Sequence, residues 1–394
     1  MSGSATMTRP QAGAKPNAKA QAAAPPPRPF RAGTQSMEDA QYDQSVTLAA
    51  STKKAIPFTL NGDGFLRGIW CLFEMVTSGN AATVTFAQNG PFNVIDTVVF
   101  LDTSKRPTFG PFDGYTWFVI NKFGGYFNNN DPRNDTIYTA TTGAGSTGGS
   151  FTFLLYLPIE AVSRDGLGAL VNKNTAVPYE VDLTIAASGT PYGTAPTTPG
   201  TMRIRMVQDN WWEPKGTDPK GHPLAPKPPA INSTQFWASN NYVVNAGAVP
   251  GQQLSTGLGY PIRNCHFMLL DSTNSRSQGE SDWPDPVTIT VEKNQLFIRA
   301  KKIWQTRICR AYDLRSGTAD TANGLENGIY PMWFNQDFAA QPGLELRNGY
   351  LITRGGQNFL YTGTIQGSGS HTLYTFVNWM APANGDPASL AMGR

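Results

Sequence analysis

From residue 45 onward the chain is a succession of short runs rich in apolar and β-branched residues, each closed off by Gly, Asn, Asp or Pro. No other feature of the sequence constrains the fold as tightly, because runs of that length and punctuation are strands. Phe65 to Val76 (FLRGIWCLFEMV), Ala82 to Phe86, Val94 to Leu101 and Phe151 to Leu157 all have strand length. Tyr179 to Ala187 (YEVDLTIAA) alternates as a half-buried strand does. Further strands are expected at Met202 to Val207, Pro261 to Leu270, Val287 to Val291 and Leu373 to Met380, with Asn348-Gly349 as a hairpin turn between Leu344 to Arg347 and Tyr350 to Arg354. The chain holds 40 Gly and 30 Pro in 394 residues, well above the roughly 12% that the pair makes up of average chains, which fits many turns and short strands. The class is all-β.

A chain of 394 residues exceeds the usual single core, so two sandwich-sized units are expected. The Pro-rich stretch 209–232 separates them, giving a first unit at 45–208, a second at 233–382 and a tail at 383–394. Residues 1–44 form an Ala/Pro-rich arm whose first 36 residues cannot bury enough apolar surface to offset chain entropy. That arm carries Arg9, Lys15, Lys19, Arg28 and Arg31 with no acidic residue before Glu38. Two helical elements are expected between strands. One is a short helix from Pro158 (PIEAVSRDGLGALV). The other is amphipathic, with Leu296, Ala300, Ile303, Trp304, Ile308 and Ala311 on one face and a basic opposite face. Polar loops at 121–150, 271–286 and 311–328 are expected at the surface.

Chemistry is harder to find. Gly143 to Gly148 matches the G-x-G-x-x-G pattern but precedes a strand instead of linking strand to helix, so it reads as a loop. His222, His266 and His371 lack neighbours at metal-ligand spacing, and Cys71, Cys265 and Cys309 are odd in number and far apart. Asp271, Thr273 and Ser275 begin like a calcium loop, but Arg276 stands where such a loop needs Gly. No catalytic residue, cofactor or metal is expected. A net charge of +3 makes sequence-specific nucleic acid an unexpected partner, and no apolar stretch reaches membrane-spanning length. The 15% charged share and 11% aromatic share suit a protein that buries surface against neighbours.

The order of segments resembles that of tectivirus-type major capsid proteins. Gly62 to Val76, Gly90 to Asp102 and Phe151 to Ile185 resemble consecutive blocks of the first domain in that family, while Lys301 to Asp313 and the following GIYPMWF resemble the helix and strand of the second. The resemblance implies two eight-stranded jelly rolls side by side, with short helices between strands. It further implies a homotrimer of pseudo-hexagonal outline that tiles an icosahedral shell over an internal membrane, in the manner of the adenovirus hexon lineage. Partners would then be neighbouring trimers, vertex (penton) and minor capsid proteins, and the membrane lipid. The place of action would be the virion, after synthesis in the host cytoplasm. The family's Gln/Ala-rich N-terminal helix is replaced here by the basic arm, whose five cations are expected on the inner capsid surface, against anionic lipid headgroups or a neighbouring trimer. A competing expectation is a carbohydrate-binding or glycoside-cleaving jelly-roll protein that stacks sugars on Trp211, Trp212, Trp237 and Trp283.

Overall fold

The computed structural model describes residues 30–382 apart from 79, 81, 125, 127–130, 136–140, 143–147, 165, 199, 223, 225–232, 274, 277–281, 315–318 and 335–348. A short helix, α1 (Phe30–Gly33), leads into β1 (Gln35–Thr47), β2 (Lys54–Thr59), β3 (Phe65–Met75), β4 (Val84–Phe86), β5 (Ile95–Leu101) and β6 (Pro107–Phe112). Helix α2 (Gly114–Phe123) follows, then β7 (Thr141–Thr142), β8 (Phe151–Pro158), β9 (Leu170–Val171), β10 (Glu180–Ile185), β11 (Tyr192–Thr194) and β12 (Thr201–Trp212). Two antiparallel sheets result, in the orders β1-β12-β3-β8 and β2-β10-β5-β6, with the small set β11-β4-β7 beside them. Alternation drives the pairing: β10 and the first half of β12 bury every second residue, so each sheet turns an apolar face inward.

The second half consists of β13 (Thr234–Gln253), β14 (Pro261–Leu270), β15 (Val287–Val291), β16 (Asn294–Arg299), helix α3 (Lys301–Ala311), β17 (Ile329–Trp333), β18 (Leu351–Ile352) and β19 (Phe359–Ala381). Strands β13 and β19 are long enough to serve both sheets. Thr234 to Asn245 of β13 pairs with Ser370 to Ala381 of β19, the register then breaks, and Gly247 to Gln253 pairs with the start of β19. Through their outer segments they give β13-β19-β14-β17, and through the others β13-β19-β15-β16. These are the strand orders of the first half, met again. The architecture is two jelly rolls of one topology, joined where β6 of the first runs parallel to β13 of the second at Phe109 and Trp237.

The repetition reaches single atoms. Each roll places its helix between the corresponding strands, α2 between β6 and β8 and α3 between β16 and β17. The fourth residue of each helix is a buried tryptophan, and each indole Nε1 donates to a carbonyl of the next long strand at 2.8 Å: Trp117 to Tyr156 and Trp304 to Pro331.

Several sequence expectations are corrected here. Residues 35–44, assigned to the arm, belong to β1, an edge strand that buries only Val46 and so lacks an apolar signature. The strand expected to end at Val207 runs on to Trp212. No helix follows Pro158: Gly166 and Gly168 take positive φ (72° and 95°), and Val162 bridges back to Leu167. The amphipathic helix begins at Lys301, because Leu296 lies in strand β16. Helix α2 was not expected, since all ten of its residues are buried and no polar face marks its period. Its start is fixed by Asp113, whose carboxylate accepts from the Thr116 amide at 2.7 Å. The expected hairpin partner at 344–348 lies outside the described residues.

Candidate assembly surfaces

The junction between the two rolls shows how one roll covers another. The outward face of the β14–β19 pair, with His266, Phe376 and Tyr374, turns to the first roll, while Cys265, Phe267 and Val377 point into the second roll's own core. His266 is fully buried among the rings of Trp237, Trp333, Phe376 and Phe123, and burial pushes its imidazole down to about 3, so it packs as a neutral aromatic. Phe123 is the last residue of α2, and its carbonyl accepts from the Tyr312 hydroxyl at 2.6 Å. The second roll therefore seals α2.

A buried ionic network locks the same junction. Glu326, from the second roll, lies 2.6 Å from Lys122 Nζ and 2.5 Å from Arg133 Nη2, and accepts from the Tyr115 hydroxyl at 2.8 Å. Asp131 completes the cluster through Arg133 at 2.7 Å and Lys122 at 3.4 Å. Burial works against the Glu326 carboxylate, yet Lys122 and Arg133 hold it well below the usual range. Beside them Arg276 ion-pairs with Asp320 at 2.6 Å and lies over the Tyr115 ring. Three cations thus face three carboxylates, all buried but Asp320, whose side chain is 22% exposed. Within the loops 121–150, 271–286 and 311–328, expected at the surface, Asn121, Asp131, Arg276, Trp283 and Glu326 are buried.

Among the described residues two other faces stay open. In the second roll, β16 is the end strand of its sheet, with Leu296 and Ile298 exposed at 36% and 59%. Helix α3 beside it buries only Trp304 and Ile308, leaves Ile303 60% exposed, and carries Lys301, Lys302, Arg307 and Arg310 with no acidic residue. A cavity of about 370 Å³ opens between them, lined by Phe297, Arg299, Trp304, Arg307, Trp333 and Phe334 among others. In the first roll, β1 ends its sheet and carries Glu38, Asp39 and Asp43 with no basic residue. The outward face of that sheet holds the half-buried Trp70, Leu72 and Val207, and Leu154 at 42% exposure. A second cavity of about 370 Å³ lies there, between Trp70, Leu72, Tyr126 and Leu154.

Of the arm cations, Arg9, Lys15, Lys19 and Arg28 lie outside the described residues, as does the side chain of Arg31. The arm's root is held by Phe30, whose ring meets Phe65 at 5.1 Å and Trp211 at 6.2 Å. Close by, Arg67 bridges Glu160 at 3.0 Å and Asp209 at 3.1 Å, and burial pushes Asp209 up to about 6. Trp211, Trp237 and Trp283 are buried at 5%, 2% and 1% exposure, so three of the four rings proposed to stack on sugars are packed inside the protein. Asp271 accepts from the Thr273 amide and hydroxyl and the Ser275 amide, an Asx turn. Gly143 to Thr147 lie outside the described residues. The ionic junction was invisible in sequence, because its partners lie up to 211 positions apart.

No family model matches the chain, and no curated protein matches it. Solved structures do. The crystal structure of the major capsid protein of Sulfolobus turreted icosahedral virus is similar over 89% of this chain and 98% of its own, with a TM-score of 0.60 at 11% identity. The same virus in its atomic structure matches over 91% and 95% of the two chains, at TM-score 0.57 and 12% identity. The Faustovirus major capsid protein covers 89% and 91%, at TM-score 0.50 and 9% identity. The fold is that of double jelly-roll major capsid proteins of viruses.

Proposed function

We propose that this chain is the major capsid protein of an icosahedral virus, a structural protein without an active site that trimerises into a pseudo-hexagonal capsomer. One observation carries the proposal: a single roll topology occurs twice, side by side, in one chain whose fold covers 98% of a viral major capsid protein. Three such chains bring six rolls into a ring, and a ring of six like shapes tiles a shell. Its partners are then copies of itself, vertex and minor capsid proteins, and its place of action is the virion. Light scattering coupled to size exclusion tests it. The expected mass is three times the 42.7 kDa chain, with hexagonal outlines in electron micrographs. A chain that stays monomeric at high concentration overturns the reading.

The arm contributes a second element of the proposal. Residues 1–29 leave the roll next to Phe30, and with Arg31 their five cations would lie against an internal membrane of anionic lipid. Each cation near such a surface contributes roughly 1 kcal/mol. Removing residues 1–29 keeps Phe30 on Phe65, so the roll should stay intact while sedimentation with anionic vesicles falls sharply. Equal sedimentation of both chains would remove this role from the arm.

A further inference from the structure

The chain contains one roll-on-roll junction in full and, on its outside, both halves of a second one. Helices α2 and α3 occupy the same place in their rolls, and the shared indole-to-carbonyl bond aligns Trp117 with Trp304. Counting from these residues, Thr116 corresponds to Ile303, Ile120 to Arg307 and Phe123 to Arg310. The first member of each pair is buried, because the second roll covers α2, whereas the second member of each is exposed. Among the described residues nothing covers α3.

The alignment also identifies the missing cover. The carbonyls that accept the two indoles belong to Tyr156 and Pro331, whose neighbours across the sheet are Trp70 and His266. Next to those stand Val207 and Phe376. His266 and Phe376 lie on the face against which α2 is sealed. Their counterparts Trp70 and Val207 lie, half-buried, on the outward face of the first roll. The edges agree as well. The joined edges inside the chain are β6 and β13, and their counterparts β16 and β1 both end their sheets.

We infer that the α3–β16 face of one chain docks on the Trp70–Val207 face and β1 edge of a second copy, repeating the internal junction head to tail. This rests on the capsomer reading and names the surfaces that build it. Charge agrees, since α3 carries four cations and no acid, whereas β1 carries Glu38 and Asp39 besides Asp43, which is ion-paired with Arg203 of the neighbouring strand. Arg310 then falls opposite Trp70, where the internal junction sets Phe123 against His266. Exposed Leu296, Ile298 and Ile303 on one side, and Leu72 and Leu154 on the other, lose their water together. Open strand edges of this kind invite pairing unless something covers them.

Two variants test it. Ile303→Asp with Arg310→Glu alters only the helix face, and Leu72→Asp with Leu154→Asp only the sheet face. Each pair should weaken self-association by at least about 30-fold and leave a folded chain of monomer mass, with an unchanged circular dichroism spectrum. Mixing the two variants restores one intact junction and none beyond it, so a species of two chains should form. A face that docked on a copy of itself would instead leave one of the two variants self-associating without the other. If wild type is trimeric and either folded variant keeps that mass, or the mixture stays monomeric, the assignment of surfaces is overturned while the capsomer reading survives. If a variant loses its fold, the single changes Arg310→Glu and Leu154→Asp take its place under the same criteria. A monomeric wild type would strike the capsomer reading itself.

Discussion

Glu326 is a carboxylate delivered by the second roll into a pocket where the first roll has already placed Lys122, Arg133 and Tyr115. A buried ion pair is a weak source of net stability, but removing one partner strands the others without water. In Glu326→Ala two buried cations are left with Asp131 alone, and the expected loss is about 3–5 kcal/mol, measured as a drop in the urea midpoint. The pH dependence follows from the sign of the shift. Because the folded protein holds this carboxyl below its unfolded value, its contribution is fully present above pH ~4 and fades as pH falls through the folded value. Wild type should therefore lose stability on acidification below pH ~4, and Glu326→Ala should show a shallower acid slope. An unchanged midpoint together with an identical slope would mean that the cluster does not hold the rolls together.

At the scale of elements, what could be foreseen follows burial pattern. Strands such as β3, β5, β10 and β14 stand in the sequence nearly where they fold, because apolar runs closed by turn residues leave little choice. Helix α2 (GYTWFVINKF) was hidden by its own success: with the core on one side and the second roll on the other, it needs no polar face, and periodicity has nothing to register. Helix α3 was found because one side is open, yet its start was set too early, since Leu296 and Ala300 continue the apolar spacing through a strand and a turn. The same two helices explain why the surfaces were hardest to foresee. Ile303 reads in sequence as a core residue, and it belongs to the apolar set of α3, but its 60% exposure depends on which roll lies next to it. Likewise β1, with Glu38, Asp39 and Asp43 on a strand that buries one side chain, carries the composition of an arm and the geometry of an edge.

The whole molecule is one cooperative object built from a repeated part. A single apolar cluster runs from Val46 in the first roll to Val377 in the second without a break, and passes through Phe109, Trp237 and Phe123 at the junction. The backbone continues the connection, since β6 and β13 put strands of both rolls into one sheet. Separate rolls would each expose a half of that junction, so unfolding one removes the cover of α2 or of the His266 face from the other. One calorimetric transition is therefore expected for the wild-type chain, with tryptophan fluorescence and calorimetry giving the same midpoint. The junction can be loosened without touching either roll's own core pairing by combining Trp237→Ala with Glu326→Ala. The first leaves a cavity costing about 3–5 kcal/mol, and the second removes the ionic lock. Those two losses fall on the contact that couples the rolls, so the single transition should split into two, the lower belonging to the roll with the smaller residual core. Two transitions already present in wild type would show that the rolls are stable units merely tethered, with no tight internal junction to serve as the template for one between chains.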